Sequence, residues 1–244
     1  NMISLNGYPY RFWNSRPIKG TIKTLTVKRD HMGDFYLCIT LEQKETKVRA
    51  ATGKSVGSDF GLKRFLTLSD ETEIEAPLYH HKNLKQLKQL KRSLSRKKKG
   101  SSNRKQAKQK LAKLHSRIAD LRKDYFHKLT NDLARRYDTI FIEDLNMKAM
   151  QKLWGRKIGD LGFTEFVNIL SYKTNVVKID RFYTSTKTCN CCGHINNDLV
   201  LKIREWQCPS CGADHRRDIN AAVNIHRVGA STLGIEDVRP ALAG

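Results

Sequence analysis

Four cysteines stand in two C-x-x-C pairs, Cys189 with Cys192 and Cys208 with Cys211, with fifteen residues between the pairs. This is the spacing of a four-cysteine zinc ribbon, in which each short turn lets two thiolates converge on one tetrahedral ion. Gly193 and Gly212, directly after the pairs, suit the backbone of such knuckles. With all four positions taken by cysteine no coordination site stays open, so the zinc is expected to be structural rather than chemical. His194 and His215 flank the ribbon and are expected at the surface or against phosphate rather than as ligands. Cys191 sits inside the first knuckle, where it could compete with Cys192. Cys38 lies in the alternating stretch "FYLCITLE" and is expected as a small buried residue.

Three acids point to a second chemistry. Asp59 lies near the end of the apolar run "VGSDF", Glu143 ends "TIFIE" beside Asp144, and Asp218 opens the helical pattern "DINAAVNIHRV". Any one of them alone reads as a turn former or a helix N-cap. Together they meet the need of phosphodiester hydrolysis by two magnesium ions, which takes several carboxylates converging from different elements of a rigid sheet. One ion serves the attacking water and the other the leaving oxygen.

The elements that must hold these residues can be read from periodicity. Residues 21 to 41 alternate over two runs separated by "RDHMGD", a β-hairpin, and the segment before it reads as irregular or short-strand structure. "VGSDFGLKRFLTLSD" reads as a strand, a tight turn at Gly61 and a second strand through Leu68. "YDTIFIEDLN" has the continuous apolar pattern of a buried parallel strand, and "VVKIDRF" repeats it. "GDLGFTEFVNILSYKT" reads as one amphipathic helix, and the chain from Gly229 onward as a polar, mobile tail. From Asn83 to Leu133 leucines recur at helical spacing, interrupted by "SRKKKGSSNRKQ", which predicts a helical hairpin with a basic tip.

Lysine and arginine total 46 against 24 acids, a formal charge of +22. Such an excess implies a polyanionic partner, for which nucleic acid is the usual case, and with it the carboxylate cluster suggests a nuclease. The residues expected to meet phosphate are Arg92, Arg96, Lys97, Lys98, Lys99, Arg104 and Lys105 at the tip, with Lys187, Arg216 and Arg217 beside the ribbon and Asp218. No run of about 18 apolar residues and no leader-like start is present, so no membrane partner is expected. A cytoplasmic, nucleoid-associated protein of a prokaryotic cell is the expected setting.

"GSDFGLKRFLTLSD", "SLSRKKKGSSNRKQAKQKLAKLH", "FIEDLN", "DRFYTSTKTCNCCG" and "CPSCGADHRRDINAAVNI", in this order, resemble the C-terminal half of TnpB. TnpB is the transposon-encoded, RNA-guided DNA endonuclease related to type V CRISPR effectors. The resemblance covers about residues 55 to 228. It implies an α/β, RuvC-like (RNase H-type) mixed sheet with an inserted helical hairpin and a four-cysteine zinc ribbon, preceded by a partial β-barrel of wedge type. It matches Asp59, Glu143 and Asp218 to the family's catalytic carboxylates and implies guide RNA and target DNA as partners.

The implied organisation is a wedge-like segment 1–52, a nuclease domain 53–188 with the hairpin at 83–133, the ribbon 189–212, a last nuclease segment 213–228 and the tail 229–244. Family members carry a further N-terminal stretch with the first wedge strands and a recognition lobe, lacking here, which predicts impaired guided activity. The family also has more residues between "LSYK" and "VVKID", where this chain has only Thr174 and Asn175, a shortening expected to pull the helix against the strand and disturb the sheet. The competing functions are a nucleic-acid-binding relative without cleavage and an unguided nuclease of resolvase type.

Overall fold

The computed structural model describes residues 1–30, 32–42, 49–200 and 202–235. The chain divides into two units, residues 1–50 with 90–115 and residues 51–89 with 116–244. Within the first unit, β1 (Met2–Leu5) and β2 (Tyr8–Arg11) pair antiparallel, as do β3 (Thr21–Arg29) and β4 (Phe35–Glu42). The β3–β4 hairpin falls where the alternation predicts it. Asp30 closes it, its Oδ1 accepting the amides of Met32 at 2.8 Å and Asp34 at 2.9 Å. Among the described residues no strand pairing joins the two ribbons into a barrel. Cys38 is exposed, contrary to expectation. Alternation turns the half-buried Leu37, Ile39 and Leu41 to one face of the ribbon and Cys38 to the other, which is exposed.

The second unit is built on a five-stranded mixed sheet. Its strands are β5 (Ser55–Phe60), β6 (Leu66–Leu68), β7 (Glu73–Ile74), β8 (Thr139–Glu143) and β9 (Asn175–Ile179), in the order β7-β6-β5-β8-β9. The first three run antiparallel, whereas β8 lies parallel between β5 and β9. Helices α1 (Tyr79–Lys82), α2 (Leu84–Ser95) and the long α3 (Ser102–Arg136) connect β7 to β8, with the expected break at Gly100, whose φ is +85°. Helices α4 (Met147–Trp154), α5 (Arg156–Leu161) and α6 (Phe163–Ser171) connect β8 to β9. The single helix expected over 159–174 is thus divided at Gly162, which adopts left-handed φ +62° and ends α5.

The sheet's two faces bury different partners. Ile140 and Ile142 of β8 join Phe65, Phe126, Phe163 and Phe166 in the larger core, where the Phe65 ring stacks on Phe126 at 5.5 Å and meets Phe166 edge-on at 5.1 Å. Phe141, pointing the other way, packs with Ile179, Ile225 and Ala230. The latter two belong to α7 (Arg217–Thr232), which continues past the tail expected from Gly229. Gly229 lies flat on Phe141, where a Cβ would come within 2.1 Å of the ring, so burial extends the helix through it. Residues 236–244 of that expected tail lie outside the described residues. The short connection into β9 does not disturb the sheet. Thr174 Oγ1 donates to the carbonyls of Tyr137 at 3.0 Å and Asp138 at 2.8 Å, and β8 and β9 pair in unbroken register from Thr139–Asn175 to Glu143–Ile179. Among the described residues no helix is long and apolar enough to cross a membrane.

Candidate functional site

Alternation along β5 and β8 decides where two of the acids point. Gly57 faces α7 so closely that a Cβ there would meet the Ala222 carbonyl at 2.1 Å. Asp59, two residues on, faces the same way. On β8, Phe141 faces α7, and so therefore does Glu143. The parallel register ends with Ser58 opposite Ile142, which sets Asp59 and Glu143 at neighbouring strand ends. Asp218 arrives from the first turn of α7 itself. The three acids come from a central strand, its parallel neighbour and the helix lying across both.

Their electrostatics are those of buried like charges only partly offset by nearby arginines. Burial, then the charges of Glu143 and Asp218, push the Asp59 carboxyl up to about 8, against the opposing pull of Arg217 and Arg204. Burial also raises Glu143, while a hydrogen bond from Ser185 Oγ pulls it back down. Asp218 is held by Arg204, whose Nη1 lies 3.0 Å from Oδ1. Like charges desolvated together are what a hard divalent cation relieves, and oxygen donors of this kind suit magnesium. Asp144, beside Glu143, is instead spent on ion pairs with Lys178 and Arg181, and its carboxyl sits below the ordinary range through those hydrogen bonds.

The cysteines come together as their spacing predicts. Sγ atoms of Cys189 and Cys211 are 3.7 Å apart, those of Cys192 and Cys208 3.6 Å, and one Sγ from each of the four lies within 4.8 Å of the others. A tetrahedron with metal–sulfur bonds of about 2.3 Å has edges of about 3.8 Å, so these two separations already match what one ion needs. The two knuckles repeat one hydrogen-bond pattern. Gly193 and Gly212 amides donate to Cys189 and Cys208 carbonyls, and Cys189 and Cys208 amides donate to those of His194 and Ala213. The second knuckle rides on a hairpin of β10 (Glu205–Gln207) and β11 (Asp214–Arg216), and Trp206 and Leu199 bury Cys189 and Cys208.

His194 is exposed as expected, but His215 is not a surface residue. It pairs with Trp206 across the hairpin, its ring 4.7 Å from the indole, and its Nε2 lies 3.0 Å from Cys189 Sγ. Strand alternation explains this, since Asp214 and Arg216 face solvent on either side of it. Cys191 also comes within 4.8 Å of Cys189 and His215, but its thiol is exposed and donates to Asn190 Oδ1 at 3.2 Å. The four-cysteine set completes a tetrahedron and the other does not.

Among the residues expected to meet phosphate, Arg92, Arg96, Lys98, Lys99 and Lys105 are exposed and Lys97 is half-buried. Arg104 is committed to structure, its Nη1 donating to the carbonyls of Leu94 at 2.9 Å and Lys97 at 3.1 Å across the break. Arg216 pairs with Glu73, Lys187 Nζ donates to the Asn197 carbonyl at 2.9 Å, and Arg217 adds its charge at Asp59. Sequence reasoning missed Ser185, Arg204 and the buried Asn220 and Asn224. The two asparagines donate to the Thr188 carbonyl at 2.8 and 2.6 Å, and Asn224 also reaches the Ser185 carbonyl at 2.8 Å. Their signal was present as two asparagines four apart in an otherwise apolar helical stretch.

A family model described as "Probable transposase" matches residues 37–153, and a second, described as "Cas12f1-like, TNB domain", matches residues 163–225. A protein of Streptomyces pristinaespiralis named "Putative RNA-guided DNA endonuclease" is 39% identical over 225 residues, covering 89% of this chain and 56% of that protein. InsQ of Escherichia coli, of the same name, is 34% identical over 91% of this chain and 60% of its own length. "TnpB-like protein L79" of Acanthamoeba polyphaga mimivirus is 31% identical over 88% of this chain and 45% of its own length. The chain is thus similar to TnpB-like proteins along most of its length. It spans about half the length of the curated TnpB relatives it matches. In fold it is similar to a chain of the "Cas12f1-sgRNA-target DNA complex", with TM-score 0.50 and 19% identity over 70% of this chain and 38% of that one.

Proposed function

We propose that this chain is the nuclease part of a TnpB-type, transposon-encoded, RNA-guided DNA endonuclease. In this reading the mixed sheet is RuvC-like, residues 1–52 are a wedge segment, and the four cysteines hold a structural zinc. Asp59, Glu143 and Asp218 hold catalytic magnesium. The observation that carries the reading is the convergence of three carboxylates on the α7 side of the sheet, one pushed up to about 8 by burial and by the other two. Magnesium bound there supplies a nucleophilic water and charge stabilisation at the reacting phosphate.

The chain's own residues set the terms of that chemistry. Asp59 and Glu143 stand on adjacent hydrogen-bonded strands, which fixes their spacing before substrate arrives. Ser185 donates to Glu143 and favours its ionised form where burial opposes it. Asn220 and Asn224 hold the 185–188 segment against α7 and thereby hold Ser185 in place. The ribbon hairpin joins α7 directly, so the metal-clipped knuckles set where Asp218 begins. The exposed cations of the hairpin tip take phosphates of guide RNA or target DNA, while base pairing to the guide reads sequence. The setting is the cytoplasm of the host cell.

Sequencing the nucleic acid that co-purifies with the protein, then offering DNA matching that RNA with Mg²⁺, tests this function. Cleavage of matching DNA is expected. Cleavage without RNA would favour an unguided nuclease, and bound RNA without cleavage under any divalent ion a binding protein.

A further inference from the structure

Arg204 approaches both oxygens of Asp218, with Nη1 3.0 Å from Oδ1 and 3.5 Å from Oδ2. It comes from the four-cysteine ribbon rather than from the sheet. Its carbonyl accepts the amide of Arg217, the first residue of α7, at 2.8 Å, and Glu205 next to it pairs with Arg216. The side chain is 52% exposed and lines a cavity of about 180 Å³ with the cations Lys63, Arg64, Arg216 and Arg217 and the acids Glu73, Glu205 and Asp218. Arg64 and Arg216 are both engaged by Glu73.

A carboxylate whose two oxygens face a guanidinium cannot offer them equally to a divalent ion. We propose that Arg204 is a built-in counter-cation, holding Asp218 in the metal-free protein, yielding it to a divalent ion, and then taking a phosphate oxygen of nucleic acid in the adjoining cavity. The planar fork of arginine suits a phosphate as well as it suits a carboxylate. Either ligand therefore prepares the site for the other, because nucleic acid that draws Arg204 away uncovers Asp218. This inference rests on Asp218 being a metal ligand.

The test is calorimetric binding of Mn²⁺ to zinc-loaded protein, with and without a short DNA oligonucleotide. Without DNA, Arg204→Gln is expected to bind Mn²⁺ about three- to fivefold more tightly than wild type, with Arg204→Lys between them. DNA is expected to tighten Mn²⁺ binding to wild type and to lose that effect in Arg204→Gln. Unchanged zinc content and thermal midpoint establish that the variant is folded. Mn²⁺ affinity in Arg204→Gln equal to or weaker than wild type overturns the counter-cation role alone. Mn²⁺ binding that is absent, or indifferent to Asp218→Asn, overturns the metal-ligand reading and this inference with it.

Discussion

His215 Nε2 lies 3.0 Å from Cys189 Sγ, inside the ribbon and against the Trp206 ring. A ring nitrogen at this distance orients a thiolate and tempers its charge without needing to be a ligand, the arrangement that tunes many metal sites from outside the coordination sphere. His215→Ala is therefore expected to weaken zinc binding about 10- to 100-fold, measured by competition with a chromogenic chelator. Cys191→Ser should leave zinc affinity unchanged, whereas Cys189→Ser should abolish a stable site. A larger loss from Cys191→Ser than from His215→Ala would mean that the ion takes Cys191.

Asp59 makes the metal-free protein sensitive to pH. Its folded value of about 8 lies above the ordinary 3.8, so the folded chain favours the protonated form. That contribution is complete below the ordinary value and is lost as pH rises towards 8. In zinc-loaded protein free of Mg²⁺, the thermal midpoint is expected to fall across this window, and in Asp59→Asn to fall less. Adding Mg²⁺ at pH 8 should raise the wild-type midpoint and not that of the variant. Equal pH dependence in the two proteins would contradict the buried, repelled state of this carboxyl.

Asn224 is fully buried and donates to two carbonyls, those of Ser185 and Thr188. Asn224→Ala leaves the Thr188 carbonyl to Asn220 alone and the Ser185 carbonyl with only the longer 3.4 Å contact from Asn220, and is expected to cost about 1–3 kcal/mol, or roughly 3–10 °C in Tm. The same change releases Ser185 from its place beside Glu143. The Mg²⁺ requirement should therefore rise in Asn224→Ala as it does in Ser185→Ala, which separates this role from simple packing.

The exposed tip cations Lys98, Lys99 and Lys105 should act through phosphate alone. Replacing all three with Gln is expected to weaken nucleic-acid binding uniformly across sequences. The slope of log affinity against log salt should become shallower by about 0.7–0.9 for each phosphate no longer neutralised. Arg104→Gln should behave differently and lower thermal stability, because that side chain closes the break between α2 and α3.

What was readable in advance follows local physics. Period-two and apolar patterns marked β5, β8 and β9, and paired C-x-x-C spacing marked the ribbon, because both depend on residues close in sequence. Features that depend on distant partners were not readable. Cys38 alternates like a core residue, yet it falls on the exposed face of its ribbon. His215 looks like a polar loop residue until Trp206 is set opposite it. Arg204 reads as one more cation in a basic chain until the ribbon turns it onto Asp218. Gly229 reads as a helix stop, whereas Phe141, 88 positions earlier in the numbering, makes glycine the only residue that fits there and lets α7 run on.

Asp59, Glu143 and Asp218 are proposed to form one hydrolytic centre. Mg²⁺-dependent cleavage of DNA matching the co-purified RNA, compared between wild type and a folded, zinc-loaded Asp59→Ala protein, tests it most directly. Cleavage is expected to fall to background in the variant while RNA binding is retained. An Asp59→Ala protein that cleaves as fast as wild type would contradict it.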